Sequence, residues 1–215
     1  GIGCRIVSSD LRAFSGTVFV VDDDEAMRNS LKWLLESEGC TVETFASASQ
    51  FLDNYYPGRA GCLLLDVWMP GMSGLELQEY LHGEQIRIPV IIITGHGDVP
   101  MAVRAMKAGA LDFIEKPFDD EKLLAGIRRA LETDLERRTQ QATRADLAIR
   151  MAQLTPRERE VMLMVTDGKS NKEIAGELGV SAKTVEAHRA RAMEKMEARS
   201  LAELVRMVLS LENAQ

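Results

Sequence analysis

Cysteine is scarce in this chain. Cys4, Cys40 and Cys62 are the three in 215 residues, and none forms a Cys-x-x-Cys pair. An odd count in that arrangement argues against a disulfide framework or a zinc site and fits a reducing cytosol. Long apolar runs are also missing. None approaches the roughly 20 residues that cross a bilayer, so no membrane association is expected. Residues 1–16 carry Arg5, Asp10 and Arg12 and lack the apolar stretch of a signal peptide; they read as a loose N-terminal extension. With 16 Gly and 6 Pro, the composition shows no collagen or disorder bias. The length suits one large or two small domains of the roughly 100–200 residues typical of a domain.

An excess of positive charge is absent as well. The net charge of −7 looks wrong for a nucleic-acid binder, but it is unevenly distributed. Residues 1–120 hold 9 Lys/Arg against 18 Asp/Glu, residues 121–150 hold 7 against 5, and residues 151–215 hold 10 of each. An acidic front is followed by a neutral back that can still gather positive charge on one face. Whole-chain charge therefore does not exclude a DNA-binding tail.

The front alternates short apolar runs with helical periodicities. Thr17–Val21, Thr41–Phe45, Cys62–Leu65, Pro89–Thr94 and Leu111–Ile114 read as strands. The first, third and fourth are apolar enough to be covered on both faces. Between them, Met27, Leu31, Leu34 and Leu35 recur at helical spacing, Ser47–Tyr55 reads as a helix, Leu75, Leu77 and Leu81 mark another, and Ala102–Ala108 ends at Gly109. Asp119 opens a long helix through Leu123, Leu124, Ile127 and Leu131. Five strands alternating with five helices predict a doubly wound α/β domain with a parallel sheet. Ligands of such sheets sit at the carboxyl ends of the strands. Here those ends carry Asp22 and Asp23, Asp66, Thr94 and Lys116.

One acid after a strand is usually a helix cap or a turn residue. Several polar groups at several strand ends are a constellation. Converging carboxylates repel each other and call for a hard cation such as Mg²⁺ or Mn²⁺. Lys116 adds a fixed positive charge and Thr94 a hydroxyl, a set suited to a phosphoryl group, with one carboxylate able to act as the nucleophile.

Four motifs in order carry a resemblance: Val20-Val21-Asp22-Asp23-Asp24-Glu25, Leu64-Leu65-Asp66-Val67-Trp68-Met69-Pro70-Gly71-Met72-Ser73-Gly74, Ile92-Ile93-Thr94-Gly95-His96-Gly97 and Phe113-Ile114-Glu115-Lys116-Pro117-Phe118. Residues 17–132 resemble the receiver domain of bacterial two-component response regulators. The resemblance implies a flavodoxin-like five-stranded sheet of order 2-1-3-4-5. It makes Asp66 the phosphoacceptor for a sensor histidine kinase. Asp22, Asp23, Asp66 and the backbone carbonyl of Trp68 become the Mg²⁺ ligands, Lys116 the contact to the phosphoryl oxygens, and Thr94 with Phe113 the switch pair. Counting from the strand end leaves Asp24 out of the ligand set. Trp68 and His96 flank the line along which water would attack the aspartyl phosphate, so they are expected to control dephosphorylation. Aspartate-based phosphatases carry a second Asp two residues after the nucleophile; Trp68 stands there, and the chain is read as no enzyme in its own right.

Asp119 to about Arg150 is rich in Arg, Glu, Gln and Ala with no Gly after Gly126 and no Pro, which predicts helix; its apolar stripe fades after Leu135, so residues 133–150 read as a solvated linker helix. The pattern then changes. Thr155, Pro156 and Glu158 form a helix start with a capping box, and Val161, Leu163, Met164 and Val165 supply its apolar face. Asn171–Leu178 stops at Gly179. Ser181 caps a further helix through Val185, His188, Met193 and Met196. Two short helices around this turn read as a helix-turn-helix.

Leu154-Thr155-Pro156-Arg157-Glu158-Arg159-Glu160-Val161, Ser170-Asn171-Lys172-Glu173-Ile174-Ala175 and Thr184-Val185-Glu186-Ala187-His188-Arg189 make residues 154–207 resemble the four-helix LuxR-type output domain, within a domain expected at 151–215. Together the two parts resemble the NarL/FixJ architecture, and the run Gly95 to Ala110 is similar to its FixJ branch. Lys172, Lys183, Thr184, His188 and Arg191 are candidates for phosphate and groove-edge contacts, and Glu186, Ala187, Arg189 and Ala190 for base-edge readout. The expectation is a cytoplasmic transcriptional activator that dimerises on phosphorylation, binds double-stranded promoter DNA and contacts RNA polymerase. Helix 98–108 with strand 111–114 is the expected dimer surface, Val99, Met101 and Arg104 contributing. The rival reading makes the C-terminal helices a protein- or RNA-interaction module.

Overall fold

The computed structural model describes residues 14–213; Cys4 and most of the N-terminal extension lie outside them. Two compact units divide at Arg137/Arg138.

The first unit alternates β1 (Thr17–Val21), α1 (Glu25–Ser37), β2 (Thr41–Phe45), α2 (Ala48–Asn54), β3 (Gly61–Asp66), α3 (Gly74–Gly83), β4 (Val90–Thr94), α4 (Val99–Lys107) and β5 (Asp112–Glu115). It closes on the start of α5 (Asp120–Ala152). The sheet has the order β2-β1-β3-β4-β5 and every pairing is parallel. Alternate strand residues face opposite layers. Phe19, Val21, Leu63, Leu65, Val90 and Ile92 pack into one core with residues of α2, α3 and α4. Val18, Val20, Cys62, Leu64, Ile91 and Ile93 pack into the other with Leu31 and Leu35 of α1 and Leu123, Ile127 and Leu131 of α5. Burial on both faces is why β1, β3 and β4 are apolar throughout. Cys62 is wholly buried, where desolvation raises its thiol pKa far above the usual range and keeps it unreactive.

Helix starts follow their caps. Asp24, Ser47, Ser73 and Asp98 accept from backbone N–H groups at the starts of α1, α2, α3 and α4. Asp98 sets α4 three residues earlier than the apolar spacing suggests, with Pro100 in its first turn.

α5 runs unbroken for 33 residues, and its later part is not solvated throughout. Asp134 is 2% exposed. Its Oδ2 accepts from the Gly61 N–H at 2.9 Å and its Oδ1 from Arg137. Gly61 is fixed in kind, because a Cβ there would lie 1.9 Å from the Thr17 carbonyl oxygen. Leu147 is buried in the second unit.

That unit contains α6 (Pro156–Thr166), α7 (Asn171–Leu178), α8 (Ala182–Met196) and α9 (Leu201–Glu212). Thr155 and Glu158 form the capping box of α6; Ser170 and Glu173 form that of α7. Gly179 ends α7 in the left-handed region. Val161, Val165, Ile174, Ala175 and Val185 make the core beneath the α7–α8 turn. Leu147, Leu154, Met162, Ala192, Met196, Leu204 and Val208 make a second core. Leu163, expected on the apolar face of α6, is 37% exposed. Met162 is buried instead, and so is Glu158, whose carboxylate receives Lys195 Nζ at 2.7 Å.

Candidate functional site

The parallel register brings the carboxyl ends of β1, β3, β4 and β5 into one crevice. Val21 pairs with Leu65, Asp66 with Ile93 and Thr94 with Glu115. Asp22, the residue after β1, therefore lies beside Asp66, the last residue of β3. Carboxylate oxygens of Asp22, Asp23 and Asp66 all lie within 4.8 Å of one another. Asp22 and Asp66 are 1% and 7% exposed, while Asp23 is open to solvent. Asp24 is turned to its cap and is not in the cluster.

Lys116, just past β5, places Nζ 2.9 Å from Asp22 Oδ2 and 3.9 Å from Asp66 Oδ2. Burial first, then the Asp22 carboxylate, raises Asp66 to about 6; Lys116 and the Val67 N–H oppose this only in part. The ionised cluster is under-compensated, as a hard-cation site is before it is filled. Three carboxylates facing one point are the donor set of a divalent oxygen-loving ion, so these residues fit Mg²⁺.

Arg28 is a neighbour that sequence reasoning missed: its Nη1 donates to the Asp22 carbonyl at 2.7 Å. A cation in the first turn of a helix opposes the helix dipole, and that was the available signal.

The remaining receiver candidates lie just past β3 (Trp68), at and just past the end of β4 (Thr94, His96) and in β5 (Phe113). Thr94 is buried, and its Oγ1 accepts from the His96 N–H at 3.4 Å. Trp68 is 56% exposed. Its Nε1 donates to the His96 carbonyl at 3.2 Å. The His96 side chain is exposed and the Phe113 ring half-buried.

In the second unit, α8 exposes Lys183, Glu186, Ala187, Ala190 and Arg191, with Lys172 exposed on α7. Thr184 is held at the helix start, its Oγ1 2.8 Å from Ser181 Oγ. Arg189 is half-buried and its Nη1 donates to Asn171 Oδ1 at 3.3 Å. His188 is also half-buried, with Nδ1 buried and lacking a hydrogen-bond partner. The exposed face is thus Lys183-Glu186-Ala187-Ala190-Arg191; Arg189 and His188 flank it.

Comparison with known proteins fits both units. Residues 18–128 match the response regulator receiver domain, and residues 152–208 match the bacterial regulatory proteins of the luxR family. The chain belongs to the two-component response regulators that join a receiver to a LuxR-type DNA-binding domain. Among these it is FixJ-like, a class of phosphorylation-dependent transcription regulator. It is 50% identical over 192 residues to the transcriptional regulatory protein FixJ of Azorhizobium caulinodans, covering 89% of this chain and 91% of that one. It is 50% identical over 190 residues to nodulation protein W of Bradyrhizobium diazoefficiens, covering 88% and 84%. Among solved structures, response regulator StyR matches at TM-score 0.80 with 50% identity over 90% of this chain and 98% of that one. Full-length FixJ from B. japonicum matches at 0.57 with 46% identity over 94% and 99%.

Proposed function

We propose that Asp66 accepts a phosphoryl group from a sensor histidine kinase and that this modification switches the chain to a dimeric, promoter-binding activator. A carboxylate oxygen of Asp66 attacks phosphorus, and the phosphohistidine P–N bond breaks. The observation that carries the reading is the crevice of Asp22, Asp23, Asp66 and Lys116, with Asp66 at its floor. Asp22, Asp23, Asp66 and the Trp68 carbonyl would hold Mg²⁺, which when bound offsets charge on the phosphoryl oxygens. Mn²⁺ satisfies the same donors. Lys116 leaves Asp22 for the phosphoryl oxygens, and Thr94 turns its hydroxyl toward them while the Phe113 ring moves inward. Trp68 and His96 govern the entry of water and hence the lifetime of the phosphate. Phosphate selects one of two pre-existing states by its differential contacts.

The altered surface lies on α4 and β5, where Val99 stands exposed, Met101 is half-buried against the core and Arg104 pairs with Glu79. Dimerisation there would set two LuxR-type domains on paired half-sites. Lys172, Lys183, Thr184, His188 and Arg191 take phosphates and groove edges, and Glu186, Ala187, Arg189 and Ala190 face the bases. We further propose a receiver at 17–132, a linker at 133–150, an output domain at 151–215, contact with RNA polymerase, a cytoplasmic location and no independent catalytic role. Among the described residues, no helix is long and apolar enough to cross a membrane.

Phosphorylation is tested with a small phosphodonor and Mg²⁺, following the intact mass of the protein. One phosphoryl group is expected on the wild type and none on Asp66→Asn. Equal incorporation by both would place the acceptor elsewhere.

A further inference from the structure

The loop between β4 and α4 is gripped at consecutive residues by three parts of the receiver. The His96 N–H is held by Thr94 Oγ1. The His96 carbonyl is held by the indole N–H of Trp68, two residues past Asp66. The next residue, Gly97, lies directly against the Phe113 ring. A Cβ built on Gly97 would fall 2.9 Å from Phe113 Cε1 and 3.0 Å from Cζ, with Glu115 Oε1 also at 3.0 Å. Gly97 is not among the glycines with positive φ, so its backbone does not demand glycine. The ring does, because it occupies the space a side chain would fill.

We infer that Trp68 is a latch that holds residues 96–97 in the position where Gly97 seats the Phe113 ring, and that this seat stabilises the unphosphorylated state. The inference rests on the functional reading above and adds a route within it. When the Thr94 hydroxyl turns to a phosphoryl group it gives up the His96 N–H. The indole bond then remains as the tie between the loop and the phosphoacceptor strand. Releasing it lets the loop withdraw and removes the wall behind the ring. Trp68 acts here as a positioning residue: it touches the loop, and through the loop the ring. The tie is a donor on a side chain and an acceptor on a backbone, so it can be cut from one side without altering His96.

Two substitutions in the full-length chain separate the latch from the seat. Trp68→Phe keeps an aromatic side chain and removes the donor. It is expected to raise the unphosphorylated dimer fraction through an equilibrium shift of about 2- to 10-fold, the range of one hydrogen bond. Gly97→Ala keeps the latch and fills the seat. The ring then has to leave, and the shift in the same direction is expected to be roughly tenfold, the scale on which overpacking moves an equilibrium. Coupling is reciprocal, so both variants are expected to bind a non-hydrolysable phosphoryl mimic, beryllofluoride with Mg²⁺, more tightly by the same factors. A variant damaged in folding would instead lose binding.

The measurement is sedimentation velocity of wild type and variants over a concentration series, with and without beryllofluoride. A wild type that fails to associate with the mimic contradicts the functional reading and this inference with it. A wild type that associates, beside variants that match it without the mimic, overturns the latch alone.

Discussion

Asp66→Asn is expected to stabilise the metal-free protein. In the folded receiver the Asp66 carboxyl is raised from 3.8 to about 6. The folded pKa therefore lies above the unfolded one. At neutral pH the ionised side chain costs folding free energy, and the cost fades as pH falls from about 6 to about 4. A rise of that size corresponds to about 3 kcal/mol, since each tenfold change in proton affinity is worth about 1.4 kcal/mol. Water and relaxation at the partly open crevice mouth bring the expected gain to about 1–2 kcal/mol. Asparagine retains an oxygen for the Val67 N–H and removes the charge. In EDTA at neutral pH the variant should melt on the order of 5 °C above wild type.

With saturating Mg²⁺ the order reverses, because the wild type gains more binding free energy than a site with one carboxylate fewer. Urea titrations followed by tryptophan emission are suited to this, since Trp33 and Trp68 both lie in the first unit. A wild type as stable as Asp66→Asn in EDTA would refute the reasoning that the three carboxylates are under-compensated.

Trp68→Asn is expected to shorten the lifetime of the aspartyl phosphate by admitting and orienting water, without slowing phosphorylation; decay at fixed pH and Mg²⁺ checks it, and an unchanged lifetime contradicts it. In the C-terminal domain, Lys195 holds the buried Glu158 carboxyl below its usual range. Its contribution is therefore present above the unfolded pKa and lost as pH falls through the folded one. An acid titration of stability should flatten in Glu158→Gln, and an unflattened curve would show that the pair is not linked to folding. Lys172→Ala should weaken binding to all duplexes alike and reduce the salt slope by about 1, whereas a loss confined to one sequence would make Lys172 a base reader.

The fold was legible because its two periodicities are clean. β1, β3 and β4 are apolar on both faces, and Thr155 and Ser181 announce their helices. The acidic cluster could be found because each member follows a strand end. The limits of a one-dimensional reading show at Leu163 and Asp134. Leu163 is partly exposed while the charged Glu158 is buried with Val161, Met162 and Val165, met by Lys195 from 37 residues away. Asp134 lies in a polar run that looks solvated, yet it serves the Gly61 N–H, 73 residues away. Both depend on tertiary pairings that local spacing does not encode. Gly97 was invisible for the same reason: its importance is the ring behind it, which belongs to another strand.

The central claim is that phosphate on Asp66 controls DNA occupancy. Promoter fragments captured from genomic DNA by the phosphorylated protein provide the ligand, and a fluorescence-anisotropy titration at one salt concentration provides the measurement. Wild type, with and without phosphodonor, is compared with Asp66→Asn under both conditions. The phosphodonor is expected to tighten wild-type binding at least tenfold, on the order of 1.4 kcal/mol or more, and to leave Asp66→Asn unchanged. Equal tightening of both proteins, or of neither, would contradict the claim.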